Sequence, residues 1–215
     1  VVGVAAGGAH TVVMTDEGKA YSFGCRQRGR LGHGGNDDEF VPRLIEGGVL
    51  VGKRVVGVAA GCAHTVVWTD EGKAYSFGNG FCGNLGHGDD EDELVPRLIE
   101  GVLVGKRVVG VAAGHAHTVV WTDKGKAYSF GYGDDGQLGL GGDDDELAPR
   151  LIEGMLAGKM VIGVAAGDEH TVVWTDEGKA YCFGPGGDGR LGHGGNEGEF
   201  VPRLIEGIPT WKRVV

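Results

Sequence analysis

One string is written four times along this 215-residue chain, and that repetition constrains the fold more than any other feature. Val-Val-Gly-Val-Ala-Ala-Gly opens at Val1, Val55 and Val108, and a Val-Ile variant opens at Val161. The units are 1–54, 55–107, 108–160 and 161–215. The extra residue of the first is Gly48, and Val214-Val215 stand where a fifth unit would open. A repeat of this length is one supersecondary unit that cannot hide both its faces, so neighbouring units must cover each other.

Each unit offers four strands. In the second they fall at 55–60, 65–69, 73–77 and 95–100. The first two are rich in small and β-branched residues, and Asp70-Glu71-Gly72 reads as a hairpin loop between the second and third. A long glycine-rich, acidic loop separates the third from the fourth. No segment sustains a helical period, so the expected class is all-β. Four strands in about 53 residues fit a propeller blade, giving four four-stranded blades in a single domain over 1–215.

Three strings recur together: Gly-x-x-His-Thr-Val-Val, Gly-Lys-Ala-Tyr-x-Phe-Gly and Gly-x-Leu-Gly-x-Gly. In unit two they are residues 61–67, 72–78 and 83–88; in unit three, 114–120, 125–131 and 136–141. Together they resemble the regulator of chromosome condensation repeat along the whole chain. The resemblance implies a β-propeller with one repeat per blade. The founding member has seven blades and is an exchange factor for a Ran-type GTPase, acting partly through an insertion between strands. Here there are four units, and none carries an insertion longer than Gly48. In that family the innermost strand is similar to Val-Pro-x-Leu-Ile, the fourth strand of each unit. The chain is then expected to start inside a blade that residues 201–206 can complete, giving either a closed four-blade ring or an open arc completed by a second chain, with a four-blade excerpt of a longer propeller as a further reading.

Composition narrows the function. The net charge is −10, and units two to four each carry eight acidic side chains against four or five basic ones. A nucleic-acid binder needs a basic surface, so nucleic acid is not an expected partner. No apolar stretch reaches transmembrane length, so a membrane is not expected either. Cys25, Cys62, Cys82 and Cys182 are neither paired in spacing nor equivalent between units. They read as free thiols of an intracellular protein, cytoplasmic or nuclear.

The recurring polar residues suggest structure rather than chemistry. His10, His64, His117 and His170 occur once per unit and read as hydrogen-bonding groups that fix a turn. A second set, His33, His87 and His193, is interrupted by Leu140, which argues against a metal ring. Three apparent GxGxxG strings, at 78–83, 131–136 and 184–189, are each followed by Leu-Gly-x-Gly, which cannot open the helix a dinucleotide site needs. The acidic loops at 37–39, 89–93, 143–146 and 197–199 lack calcium-loop spacing and read as solvated. Ser22, Ser76 and Ser129 share a strand position with Cys182, read as packing. Trp68, Trp121 and Trp174, with Met14, are expected to fill the space between blades. No cofactor and no catalytic group is implied.

What differs between the units is the loop after Phe-Gly, at 25–30, 79–84, 132–137 and 185–190, and the turn position held by Gly8, Cys62, His115 and Asp168. Loops on a rigid scaffold are where binding residues sit. Arg26, Arg28 and Arg30 are expected to form a basic patch, Phe81 and Tyr132 to act as aromatic anchors, and Asp134, Asp135 and Arg190 to complete a partner-binding set. The chain therefore reads as a non-enzymatic protein-binding scaffold. Two alternatives accompany that reading: a structural or designed repeat that assembles into a two-chain ring, and an exchange factor for a small GTPase.

Overall fold

The computed structural model describes residues 1–35, 37–46 and 48–208. The Val214-Val215 start of a fifth unit lies outside them. Each unit forms one four-stranded antiparallel sheet in chain order. The first holds β1 (Gly3–Ala6), β2 (His10–Met14), β3 (Ala20–Gly24) and β4 (Glu39–Leu44). The second holds β5 (Val55–Ala60), β6 (His64–Thr69), β7 (Ala74–Gly78) and β8 (Glu93–Leu98). The third holds β9 (Val108–Ala113), β10 (His117–Thr122), β11 (Ala127–Gly131) and β12 (Glu146–Leu151). The fourth holds β13 (Val161–Ala166), β14 (Thr171–Thr175), β15 (Ala180–Gly184) and β16 (Glu199–Leu204). No α-helix occurs among the described residues, only short 3-10 turns. The all-β propeller architecture is as expected. In the second sheet the first strand matches its expected bounds, and the fourth begins two residues earlier, at Glu93.

The order of strands within a blade corrects one expectation. The fourth strands lie at the exposed outer edge, where Phe40, Val41, Leu94, Val95, Leu147, Phe200 and Val201 meet solvent. The first strands are innermost: β1, β5, β9 and β13 pack against one another in sequence. Their C-terminal turns line one open recess of about 320 Å³. The physical reason is in the residues. Glycine and alanine suit a crowded axis, whereas the proline of Val-Pro-Arg-Leu lacks an amide donor and belongs on an edge strand.

The expected pairing of residues 201–206 with the first blade does not occur among the described residues. Every unit supplies all four strands of its own sheet, so no sheet is missing one, and β16 pairs with β15. The described residues make an arc with two end faces. On the first, Val4 is 69% exposed, whereas the equivalent Val111 and Val164 are 7% and 6% exposed beneath a preceding sheet.

Between sheets the packing repeats. At the second boundary Ala59, Val66, Ala74, Ile99 and Leu103 meet Val108, Val111, Val120, Tyr128 and Phe130. The equivalent residues meet at the first and third boundaries. Trp68 and Trp121 pack against the edges of these clusters, as expected of a core-filling residue. Each tryptophan lies across a glycine of the first strand, and the strand pairing shifts register beside it. A Cβ on Gly110 would stand 2.0 Å from Trp121 Cζ2. Gly110→Ala is therefore expected to displace the ring from the third boundary and to destabilise the fold by about 1–3 kcal/mol, the usual cost of overpacking. A urea midpoint equal to that of the parent chain would contradict this.

Candidate protein-interaction face

The registers place every variable segment at one end of the sheets. His10 pairs with Gly24, and Gly24 with Glu39, so the turn before the second strand and the loop after the third leave from the same end. The same holds in the other sheets. The opposite end carries the nearly constant hairpins and the connectors between units.

Beneath the variable end lies a buried frame. His10 Nε2 stands 2.8 Å from Thr65 Oγ1 of the next sheet, His64 2.9 Å from Thr118, and His117 3.0 Å from Thr171. Each threonine donates its one hydroxyl proton to a loop carbonyl, of Arg30, Asn84 and Gln137 respectively. The hydroxyl can then only accept from the ring, so the histidines carry their proton on Nε2. Three of the four recurring histidines thus bond across a sheet boundary. His170 has no such partner among the described residues, where no further sheet packs on the fourth. Burial, first, holds His10 at about 4, His64 at about 3 and His117 at about 4; neighbouring charges of Arg30 and of other histidines add to it.

A second tie holds the glycine-rich loop to its own sheet. Ser22, Ser76 and Ser129 donate to the carbonyls of Leu31, Leu85 and Leu138 at 2.6 to 2.7 Å. Having given that proton, Ser22 and Ser76 accept from His33 and His87. In the fourth sheet Cys182 replaces the serine, and among the described residues both ring nitrogens of His193 lack a hydrogen-bond partner, the Glu199 carboxylate standing 3.9 Å from Nδ1. Burial raises the Cys182 thiol to about 11. The four cysteines are free thiols.

A third tie was missed in the sequence. Asp38, Asp92 and Asp145 accept the backbone N–H of Arg26, Gly80 and Gly133 at 2.9 to 3.0 Å, so part of the acidic loop is an anchor rather than solvated charge. The signal was an aspartate at one position in three units, with Gly198 in the fourth.

The expected partner-binding residues are dispersed unevenly. The three arginines occupy different surroundings. Arg26 donates to the carbonyl of Gly35, Arg28 pairs with Asp92 of the next sheet at 3.2 Å, and Arg30 is buried, bonded to the carbonyls of Gln27 and Cys62. Arg190 pairs with Glu169 at 3.1 Å. Phe81 and Tyr132 do come together. Phe81 is 55% exposed and stacks on Tyr132 with centroids 6.4 Å apart and planes at 29°. Tyr132 donates its hydroxyl to Asp134, which holds that hydroxyl up at about 12. Asp135 stands beside them, its N–H bonded to Gln137. At the axis His115 lies 3.1 Å from Asp168. No cluster of three metal-ligating side chains occurs among the described residues, and no helix among them is long and apolar enough to cross a membrane.

Comparison with known proteins gives this geometry a family. The RCC1-like domain profile matches residues 1–215. The chain belongs to the RCC1-like domain family. It is 39% identical over 209 residues to the Arabidopsis thaliana ultraviolet-B receptor UVR8, covering 97% of this chain and 47% of that protein. It is 35% identical to human RCC2, covering 92% and 42%. It is 40% identical to human HERC2, an E3 ubiquitin-protein ligase, covering 94% of this chain and 4% of that protein. The RCC1-like chain thus spans half or less of these relatives. Human WBSCR16 superposes with a TM-score of 0.86 at 27% identity, over 95% of this chain and 52% of that one. Prp20p of Saccharomyces cerevisiae matches at 0.57 and 18% identity, over 97% and 66%, a likeness of fold alone.

The frame makes two predictions for the RCC1-like fold. Above about pH 6.5 the three relay histidines are neutral both folded and unfolded and contribute no pH dependence. Below it the unfolded chain takes up protons that the folded state refuses until its own values near 3 to 4. Thermal stability is expected to be flat from pH 8 to 7 and to fall between pH 6.5 and 5, before carboxylates titrate. A melting temperature constant from pH 7 to 5 would overturn this. Separately, Cys182→Ser is expected to restore the loop tie and the partner of His193, raising stability by about 1 kcal/mol in urea titration. An unchanged or lower midpoint would contradict it.

Proposed function

We propose that this RCC1-like chain is a non-enzymatic protein-binding scaffold whose docking face is the variable end of its sheets. One observation carries the proposal: the units differ at that end and agree at the other, although one fold builds both. Had the differences been free drift, the exposed hairpins opposite would differ as much. The backbone supports the same reading. Arg28, Cys82 and Asp188 occupy equivalent loop positions with φ of 63°, 56° and 59°, a left-handed conformation that disfavours residues other than glycine. Strain kept at one site in three units is expected of a presented loop.

The test compares the two ends. Replacing Arg26, Arg28, Phe81, Tyr132 and Asp134 by alanine is expected to leave melting nearly unchanged and to reduce cross-linked capture of protein partners about tenfold. Replacing Lys19, Lys73, Lys126 and Lys179 at the opposite end is expected to change neither. Equal capture by the two variants would remove the proposal.

A further inference from the structure

At the first sheet boundary Arg28 reaches across and pairs with Asp92 at 3.2 Å. Asp92 meanwhile accepts the backbone N–H of Gly80 and so anchors the second loop. One boundary further on, the position equivalent to Arg28 is Cys82, and the position equivalent to Asp92 is Asp145. Asp145 anchors Gly133 at 2.9 Å in the same way, but it has no cationic partner among the described residues. The Cys82 side chain stands where Arg28 stands at the first boundary and offers Asp145 only a neutral thiol hydrogen bond in place of a guanidinium. Cys82 keeps the same left-handed backbone as Arg28, φ 56° against 63°, so the two loops superpose in kind. At the third boundary the pair has become Asp135 and Gly198, and no carboxylate waits there.

Among the described residues, only at this second boundary does an exposed aromatic pair stand beside a carboxylate that lacks a cationic partner. Phe81 immediately precedes Cys82, and its ring stacks on Tyr132 from the next sheet. Asp90, Asp134 and Asp145 are exposed around it, and none of them is in an ion pair among the described residues. Burial first, then a hydrogen bond to Asp145 and the charges of Asp145, Asp134 and Asp90, push the Cys82 thiol up to about 12. Aromatic faces rimmed by carboxylates attract cations, and a planar guanidinium both stacks on a ring and matches a carboxylate.

We propose that the Phe81–Tyr132 platform with Asp145 and Asp134 binds an arginine side chain of a basic partner segment, in the place Arg28 fills one boundary earlier. This rests on the scaffold reading and names its partner's chemistry. The folded chain thus holds a guanidinium on this anchoring aspartate at one boundary and none at the next, and the first boundary specifies the ligand.

The experiment uses a fluorescent arginine–glycine repeat peptide and the 215-residue chain, read by anisotropy at physiological salt. Cys82→Arg supplies the missing guanidinium within the chain, on a backbone that already accepts arginine in the first unit. It is expected to keep the parent melting temperature and to weaken peptide binding at least about tenfold. Phe81→Ala is expected to weaken it roughly threefold to tenfold. A lysine–glycine peptide is expected to bind several-fold more weakly, and a glutamate–glycine peptide not at all. No binding of the arginine peptide, or equal binding by the parent and Cys82→Arg, would overturn the proposal. So would equal binding of the arginine and lysine peptides, which marks simple charge attraction. If the peptide fails while the five-residue alanine variant still loses partner capture, the scaffold reading stands and only the arginine assignment falls.

Discussion

The structure depends on a buried histidine at each sheet boundary. Its ring crosses to the threonine of the next sheet, and that threonine passes its own proton to a loop carbonyl of the first. Strand, neighbouring strand and loop are thereby fixed in one chain of hydrogen bonds, shielded from water. Apolar packing alone is non-directional and would tolerate sliding of one sheet on another. A buried polar pair does not, because sliding would leave both groups unsatisfied at a cost of about 1–3 kcal/mol each. The relay therefore sets the register of the arc, and the valine and tyrosine clusters supply the bulk of the adhesion.

The relay also explains how the loops can differ. It takes from the loop a backbone carbonyl, not a side chain. Residues 30, 84 and 137 can then be arginine, asparagine and glutamine without loss of the frame. The aspartate anchor works likewise, receiving a backbone N–H from Arg26, Gly80 or Gly133. These ties use backbone groups, so they persist at positions where the side chains of the units diverge.

Much of this was legible in the sequence because repetition separates constant from variable without any other protein. The strands followed from β-branched runs between glycines, and the role of His64 followed from its recurrence. Three things were not legible. Which strand faces the axis depends on packing between units, and the resemblance placed the Val-Pro-x-Leu-Ile strand there when proline favours the edge. The anchoring of Asp92 needs the loop's path in space, since thirteen residues separate it from Asn79, to which it also bonds. The separation of Arg26, Arg28 and Arg30 arises because alternate loop positions point to different neighbours. The Phe81–Tyr132 contact, by contrast, joins two residues singled out separately.

The ties are not evenly distributed along the arc. The second and third sheets have all of them: a histidine relay on both sides, Ser76 on Leu85 and Ser129 on Leu138, and Asp92 on Gly80 and Asp145 on Gly133. Among the described residues the fourth lacks three, through Cys182, Gly198 and His170, which has no threonine partner. Local stability follows the density of such bonds, so opening is easiest at the fourth sheet and hardest at the second and third. The exposed aromatic pair lies at the boundary between the second and third sheets, where the loops beneath it are held most firmly. A recognition surface loses least entropy on binding when it is already ordered. Rigidity and variation thus coincide at one place on the arc, and the units' differences elsewhere stand on weaker support.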